Sequence, residues 1–197
     1  MSTKLETLVV TAGGAAPTSL KEALTGSGAE VSAIDLPATS TPEVLKQKLA
    51  AQLAESGTPD VLINTLHPRH PGRRPEEVDN AELQRGVDVN LTRTLLTCQE
   101  VGRAMIEAGK GVIVVVLAGA VDDPLSTVTD AAAVGLTRVL SVEWAPEQVR
   151  VVAVAPTGPG GPARDAAVAA TIAFLASEDA SYITGAVIPV SAAGRTR

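Results

Sequence analysis

Residues 87–116 read VDVNLTRTLLTCQEVGRAMIEAGKGVIVVV. Up to Ala108 the apolar residues recur at helical spacing, whereas Gly111 to Val116 form a run with no polar side chain to offer water. A strand that is apolar at every position has no solvent face, so it belongs inside a parallel sheet with helices on both sides. The pattern predicts a helix from about Ala81 to Ala108, broken near Val89, and then a strand through GVIVVVLAG.

The same alternation extends in both directions. ETLVVT is a short β-branched run, followed by AGGAAPTS as a turn and SLKEALTGSG as a helix. AEVSAIDL is a strand ending at Asp35, and TPEVLKQKLAAQLAES is an amphipathic helix with Thr41 as cap and Glu43 in an acidic first turn. DVLINT is the next strand, and LHPRHPGRRPEEVDN is a loop. Beyond the apolar strand, Ser126 to Ala145 form a helix that opens on polar cap residues. It carries an apolar stripe of Val134, Leu136, Val139, Leu140 and Val142. The strand VRVVAVAP, the loop TGPGGPARD, the helix AAVAATIAFLASE and the strand AVIPVS complete the series. Strands alternating with helices predict an α/β, doubly wound parallel sheet. One domain over residues 1–190, with a frayed tail at 191–197, is expected.

Composition narrows the function. Trp144, Phe174 and Tyr182 are the only aromatic residues, so the core is built from Ala, Val, Leu and Ile, and no platform for stacking bases exists. A net charge of −6 disfavours nucleic acid and anionic membrane as partners. The single cysteine, Cys98, excludes an internal disulfide and a cysteine-cluster metal site. MSTKLETLVV is neither a signal peptide nor a membrane span, which gives a cytoplasmic protein as the expectation.

Four ordered segments carry a resemblance. DVLINT sits where the short-chain dehydrogenase/reductase family has Asp-Val-Leu-Val-Asn-Asn-Ala-Gly, and residues 87–116 resemble the helix and strand that follow, including the helix asparagine at Asn90. AAAVGLTRVLSVEWAPEQVRVVAVAP resembles the family's catalytic helix and next strand, and FLASEDASYITGAVIPV its final helix-to-strand passage. The resemblance implies a Rossmann-type sheet and, in an intact member, NAD(P)-dependent redox chemistry. The family's four catalytic positions fall at Asn90, Ala118, Ser126 and Asp130. There the family has Asn, Ser, Tyr and Lys: tyrosine exchanges a proton with the substrate oxygen, and lysine lowers its pKa and holds the nicotinamide ribose. An aliphatic hydroxyl is a far weaker acid than a phenol, and a carboxylate reverses the sign of the lysine's field. The only tyrosine is Tyr182, so no shifted Tyr-x-x-x-Lys exists.

The cofactor end departs as well. The family's glycine-rich turn lets backbone N–H groups approach a pyrophosphate at a helix N-terminus. Here it reads TAGGAAPTS, with Ala12, Ala16 and Thr18 at or near the glycine positions and Pro17 removing a donor. The remaining cofactor candidates are Thr11, Gly13, Gly14, Asp35 and Asn64. Asp35 lies where an acidic residue would hold the ribose hydroxyls, although Asp also commonly ends a strand. His67 replaces the glycine of Asn-Asn-Ala-Gly and crowds the cofactor path. No NAD(P) and no other cofactor is therefore expected. The interval from Asp35 to Asp60 holds one helix but no further strand, so six strands are expected, one strand-helix unit fewer than the family norm. The segment after VRVVAVAP omits the family's substrate lid.

Other candidates have two readings each. His67 and His70, beside Arg69, Arg73 and Arg74, form either an anion-binding loop suited to a phosphate or acyl-carrier phosphopantetheine, or a solvated proline-rich loop. With no third ligand they do not make a metal site. Asp122 and Asp123 either face the crevice or shape a turn, and Ser126 reads as a helix cap rather than a nucleophile. The expected function is a catalytically degenerate family member, a non-catalytic or regulatory subunit joined to itself or to an active relative. The helix bearing Asn90 and the one after Ser126 would pack on their counterparts through Leu136, Val139 or Leu140. The alternatives are a non-redox lyase or cyclase using His67, Asp130 or Ser126, and an unconventional NAD(P)H-dependent ketoreductase.

Overall fold

The computed structural model describes residues 5–12, 18–26, 28–37, 39–65, 74–119, 123–158 and 161–191. Six strands form one sheet: β1 (Glu6–Ala12), β2 (Glu30–Leu36), β3 (Val61–Thr65), β4 (Gly111–Val116), β5 (Val149–Pro156) and β6 (Val187–Val190). Their order is β2-β1-β3-β4-β5-β6 and every pairing is parallel. The helices are α1 (Thr18–Gly26), α2 (Pro42–Ser56), α3 (Asn80–Gly86), α4 (Arg93–Ala108), α5 (Pro124–Glu143) and α6 (Pro162–Ala176). None among the described residues is long and apolar enough to cross a membrane.

The apolar strands sort their side chains to two cores by their two-residue period. Leu62, Ile113, Val115, Val151 and Ala153 meet Leu45 and Leu49 of α2, Cys98, Val101 and Met105 of α4, and Ala133 and Leu140 of α5. Ile63, Val114 and Val152 meet Leu20 and Leu24 of α1 and Val168, Ala169 and Ile172 of α6 on the other face. Each fully buried aliphatic side chain contributes about 2 kcal/mol of transfer free energy. Between Leu36 and Val61 lies α2 and no strand, which leaves β2 at the edge of the sheet, as the short interval predicts.

Helix α2 begins as expected, with Thr41 Oγ1 accepting from Val44 N at 3.4 Å. Near Val89 the chain does not break. It widens into a π-helical turn, Val87–Thr92, between α3 and α4, with Asn90 buried in it and Arg93 buried at the start of α4. The Arg93 guanidinium donates to the carbonyls of Pro37 (2.9 Å) and Ser40 (2.6 Å), tying the start of α4 to the loop after β2. Burial depresses its pKa.

Two expectations for α5 need correction. The helix starts at Pro124 with Asp123 as cap, its carboxylate accepting from Leu125 N at 3.1 Å, so Ser126 lies inside the first turn and is not the cap. Leu140 is a core residue and Leu136 packs partly against the same core, so neither forms an outer face. Sheet-facing positions are Leu125, Ser126, Thr129, Ala133, Thr137, Leu140 and Ser141, while Val128 (57%), Val139 (59%) and Val142 (73%) stand exposed.

Just past β4 the chain turns sharply at Gly119, where φ is +65° and an added Cβ would stand 1.7 Å from the carbonyl oxygen of Pro156. Only glycine permits this approach of two strand ends. Gly119→Ala is expected to lower stability by about 2–5 kcal/mol, read as a shifted urea midpoint at unchanged slope.

Candidate functional site

In open parallel sheets the crevice for ligands lies at the carboxyl ends of the strands. The described parts of this rim include the ends of all six strands and the first turns of α1, α5 and α6. Ala118, Ser126 and Asp130, three of the positions singled out by the resemblance, lie together at the start of α5, and the Ser126 hydroxyl and the Asp130 carboxylate are both engaged by the protein itself.

Ser126 is fully buried, and its hydroxyl donates to Asp123 Oδ2 at 2.6 Å. One turn further, Asp130 turns its carboxylate onto the backbone leaving β4: Ala118 N donates to Oδ1 at 3.0 Å and Gly119 N to Oδ2 at 2.9 Å. Ser126 and Asp130 therefore serve as a hydroxyl-to-cap bond and a backbone clamp. Ala118, at the serine position, is buried and supplies only its N–H.

Asn90 is completely buried in the π-helical turn, and its Nδ2 donates to Thr129 Oγ1 at 3.1 Å. Thr129 in turn donates to Leu125 O at 3.0 Å. Asn90 Oδ1 has no hydrogen-bond partner among the described residues. Asn64, on β3, donates to the carbonyl of Thr94 at 3.3 Å, linking the strand to α4. Beside it, Cys98 is buried in apolar surroundings that push its thiol up to about 12, only partly offset by the Asn64 side chain. That thiol stays protonated and unreactive at neutral pH.

At the β1–β2 side, Asp35 accepts from Thr11 Oγ1 at 2.8 Å and pairs with Lys21 Nζ at 3.6 Å. At the first turn of α1, Ser19 Oγ donates to Asp165 Oδ2 from the first turn of α6, and Arg164 stands 3.7 Å from the other oxygen of the same carboxylate. Sequence reasoning missed this contact: Ser19 and Asp165 are far apart in the chain, and only the packing of α1 on α6 joins them. Gly13, Gly14, His67, His70, Arg69, Arg73 and Asp122 lie outside the described residues. Arg74 is exposed beside Glu76. Among the described residues no cluster of three or more His, Cys, Asp or Glu side chains is placed to hold a metal ion.

Comparison with known proteins places the chain in a family. The model of the short chain dehydrogenase family matches residues 2–169, and the chain belongs to that family. It is 34% identical over 164 residues to cis-4-hydroxycyclohexanecarboxylate dehydrogenase of Sinomonas cyclohexanicum, covering 70% of this chain and 66% of that protein. To galactitol 2-dehydrogenase of Rhizobium johnstonii it is 31% identical over 176 residues, covering 73% and 68%. The chain thus spans about two thirds of the length of these relatives. Its fold is that of 3-ketoacyl-(acyl-carrier-protein) reductase from Brucella melitensis complexed with NADH, with a TM-score of 0.83, 23% identity and 98% of both chains covered.

Asp130→Ala leaves the N–H groups of Ala118 and Gly119 without their acceptor and is expected to cost about 1–3 kcal/mol in urea unfolding. Asp130→Asn, which keeps one acceptor oxygen, should recover part of that loss.

Proposed function

We propose that this chain acts as a non-catalytic subunit of short chain dehydrogenase type, associating with itself or with an active relative. One observation carries the reading. The hydroxyl of Ser126 and both carboxylate oxygens of Asp130, at the positions of the proton-transferring tyrosine and its lysine, are engaged by Asp123 and by the backbone leaving β4. Neither group can reach a substrate without breaking the structure around it, and neither has the acidity or the charge the reaction needs.

The cofactor implied by the family meets the same difficulty. A pyrophosphate needs donors and positive potential at the N-terminus of α1. Ser19 is bonded there to a carboxylate, Asp165, which repels a phosphate and takes the hydroxyl's proton donation. The described residues at this end do not fit the group. Titration of the protein with NADH or NADPH is expected to show no binding tighter than about 10 μM, equivalent to about 7 kcal/mol. A second reading, an NAD(P)H-dependent reductase, draws support from Asp35, which stands at the end of β2 beside Thr11 where a ribose could be held. The same titration decides between them, since tighter binding supports the reductase.

Association draws support from the outer face of α5, where exposed Val128, Val139 and Val142 form a stripe beside Gly135. Burying that stripe against another helix covers apolar surface. Val139→Glu is expected to weaken such a contact by about 2–4 kcal/mol and to separate the subunits in sedimentation velocity. A wild-type monomer at tens of micromolar, alone and mixed with an active relative, would remove this support.

A further inference from the structure

Two consecutive N–H groups leave β4 aimed at one acceptor. Ala118 N donates to Asp130 Oδ1 at 3.0 Å and Gly119 N to Oδ2 at 2.9 Å, so each oxygen of a single carboxylate meets its own backbone donor. Successive N–H groups that converge in this way form a concavity for an anion, and an ionised acceptor makes such bonds stronger than neutral ones. The spacing of the two donors suits a flat anion with two oxygens.

The donors are held by the sheet and not by the carboxylate they meet. Leu117 N donates to Val154 O at 2.9 Å, tying the residue before the pair to β5. Gly119, at φ +65°, packs so closely on the Pro156 carbonyl oxygen that no side chain fits between them. Both anchors belong to β5, whereas Asp130 comes from α5, so donors and acceptor are placed by different elements. Donors fixed in advance are what a pre-organised site requires. The pair also lies at the carboxyl ends of β4 and β5, on the rim where open parallel sheets take ligands, and both Gly119 and Asp130 are only partly buried.

We propose that the exit of β4 is a binding site for a small carboxylate, held shut by Asp130 as its internal ligand. A carboxylate tethered to the same chain has an effective concentration that a dissolved anion of the same kind does not match. The wild type therefore keeps free carboxylates out, and removal of the Asp130 side chain opens the site. Formate is the smallest anion with the required shape and charge. The exposed Val128, Val139 and Val142 of α5 take no part in this contact, so association of subunits leaves it unchanged.

The test is urea unfolding of the full chain in sodium formate and in sodium chloride at equal ionic strength. Asp130→Gly clears the whole side chain, and its own midpoint in chloride is the reference, so the helix cost of glycine cancels. With a dissociation constant of about 30 mM, formate at about 0.3 M should raise the folding equilibrium constant of Asp130→Gly about tenfold over chloride. In the proton–nitrogen NMR spectrum of that variant, the amide signals of Ala118 and Gly119 should move with formate along a saturating curve. Wild type, and Asp130→Asn, whose amide still fills the space, should change by less than about twofold. Asp130→Ala, with its better helix propensity, is read in the same way if glycine prevents folding. A formate effect as large in the wild type as in the opened variants overturns the proposal. So does a folded Asp130→Gly or Asp130→Ala protein in which the amides of Ala118 and Gly119 ignore formate.

Discussion

Parallel pairing of β3, β4 and β5 is the constraint from which the rest of this structure follows. Parallel strands are joined by crossovers that lay helices on both faces, so the central strands are built mostly of apolar side chains, and the few polar ones, such as Asn64 on β3 and Arg150 on β5, are tied to backbone carbonyls. The cores on the two faces account for the helices: α2, α4 and α5 share one, α1 and α6 the other. Nothing reactive can be stored between them, and the buried Cys98, held protonated, illustrates the point.

At the rim, carboxylates gather where strands end and helices begin, and each finds a donor. Asp123 takes the Leu125 N–H and the Ser126 hydroxyl, Asp130 the two N–H groups past β4, Asp35 the Thr11 hydroxyl, and Asp165 the Ser19 hydroxyl. A partly buried carboxylate needs such donors, because burial without them costs several kcal/mol. These donors satisfy internal anions at the rim. Ser126 and Asp130 act together here: the small hydroxyl fits under the cap residue Asp123, and the carboxylate accepts from the N–H groups at the strand exit, which a cation could not do.

Much of the fold was legible because its signal is local. The unbroken apolar run Gly111–Val116 required burial on both faces, and the Thr41–Glu43 start of α2 followed from its side-chain chemistry. The absence of a strand between Asp35 and Asp60 was a matter of chain length alone. Less legible were boundaries that depend on neighbours. The π-helical turn at Val87–Thr92 looked like a break because periodicity falters there, yet the backbone stays helical and swings Asn90 and Arg93 inward. Leu140 and Val139 are adjacent in one apolar stripe, and only docking on β5 decides that the first is core and the second exposed.

By itself the sequence determined that the only tyrosine is Tyr182 and that no Tyr-x-x-x-Lys occurs in the chain. It determined also the order of strands and helices, since periodicity and chain length are properties of the chain read in one dimension. Tertiary structure alone decided what these side chains do: that Asp130 clamps the exit of β4, that Ser19 meets Asp165, and that β2 ends the sheet. The physical reason is that a hydrogen bond is set by distance and direction in space, over a few ångströms. Residues distant in the chain reach that range only after both cores have closed around the sheet.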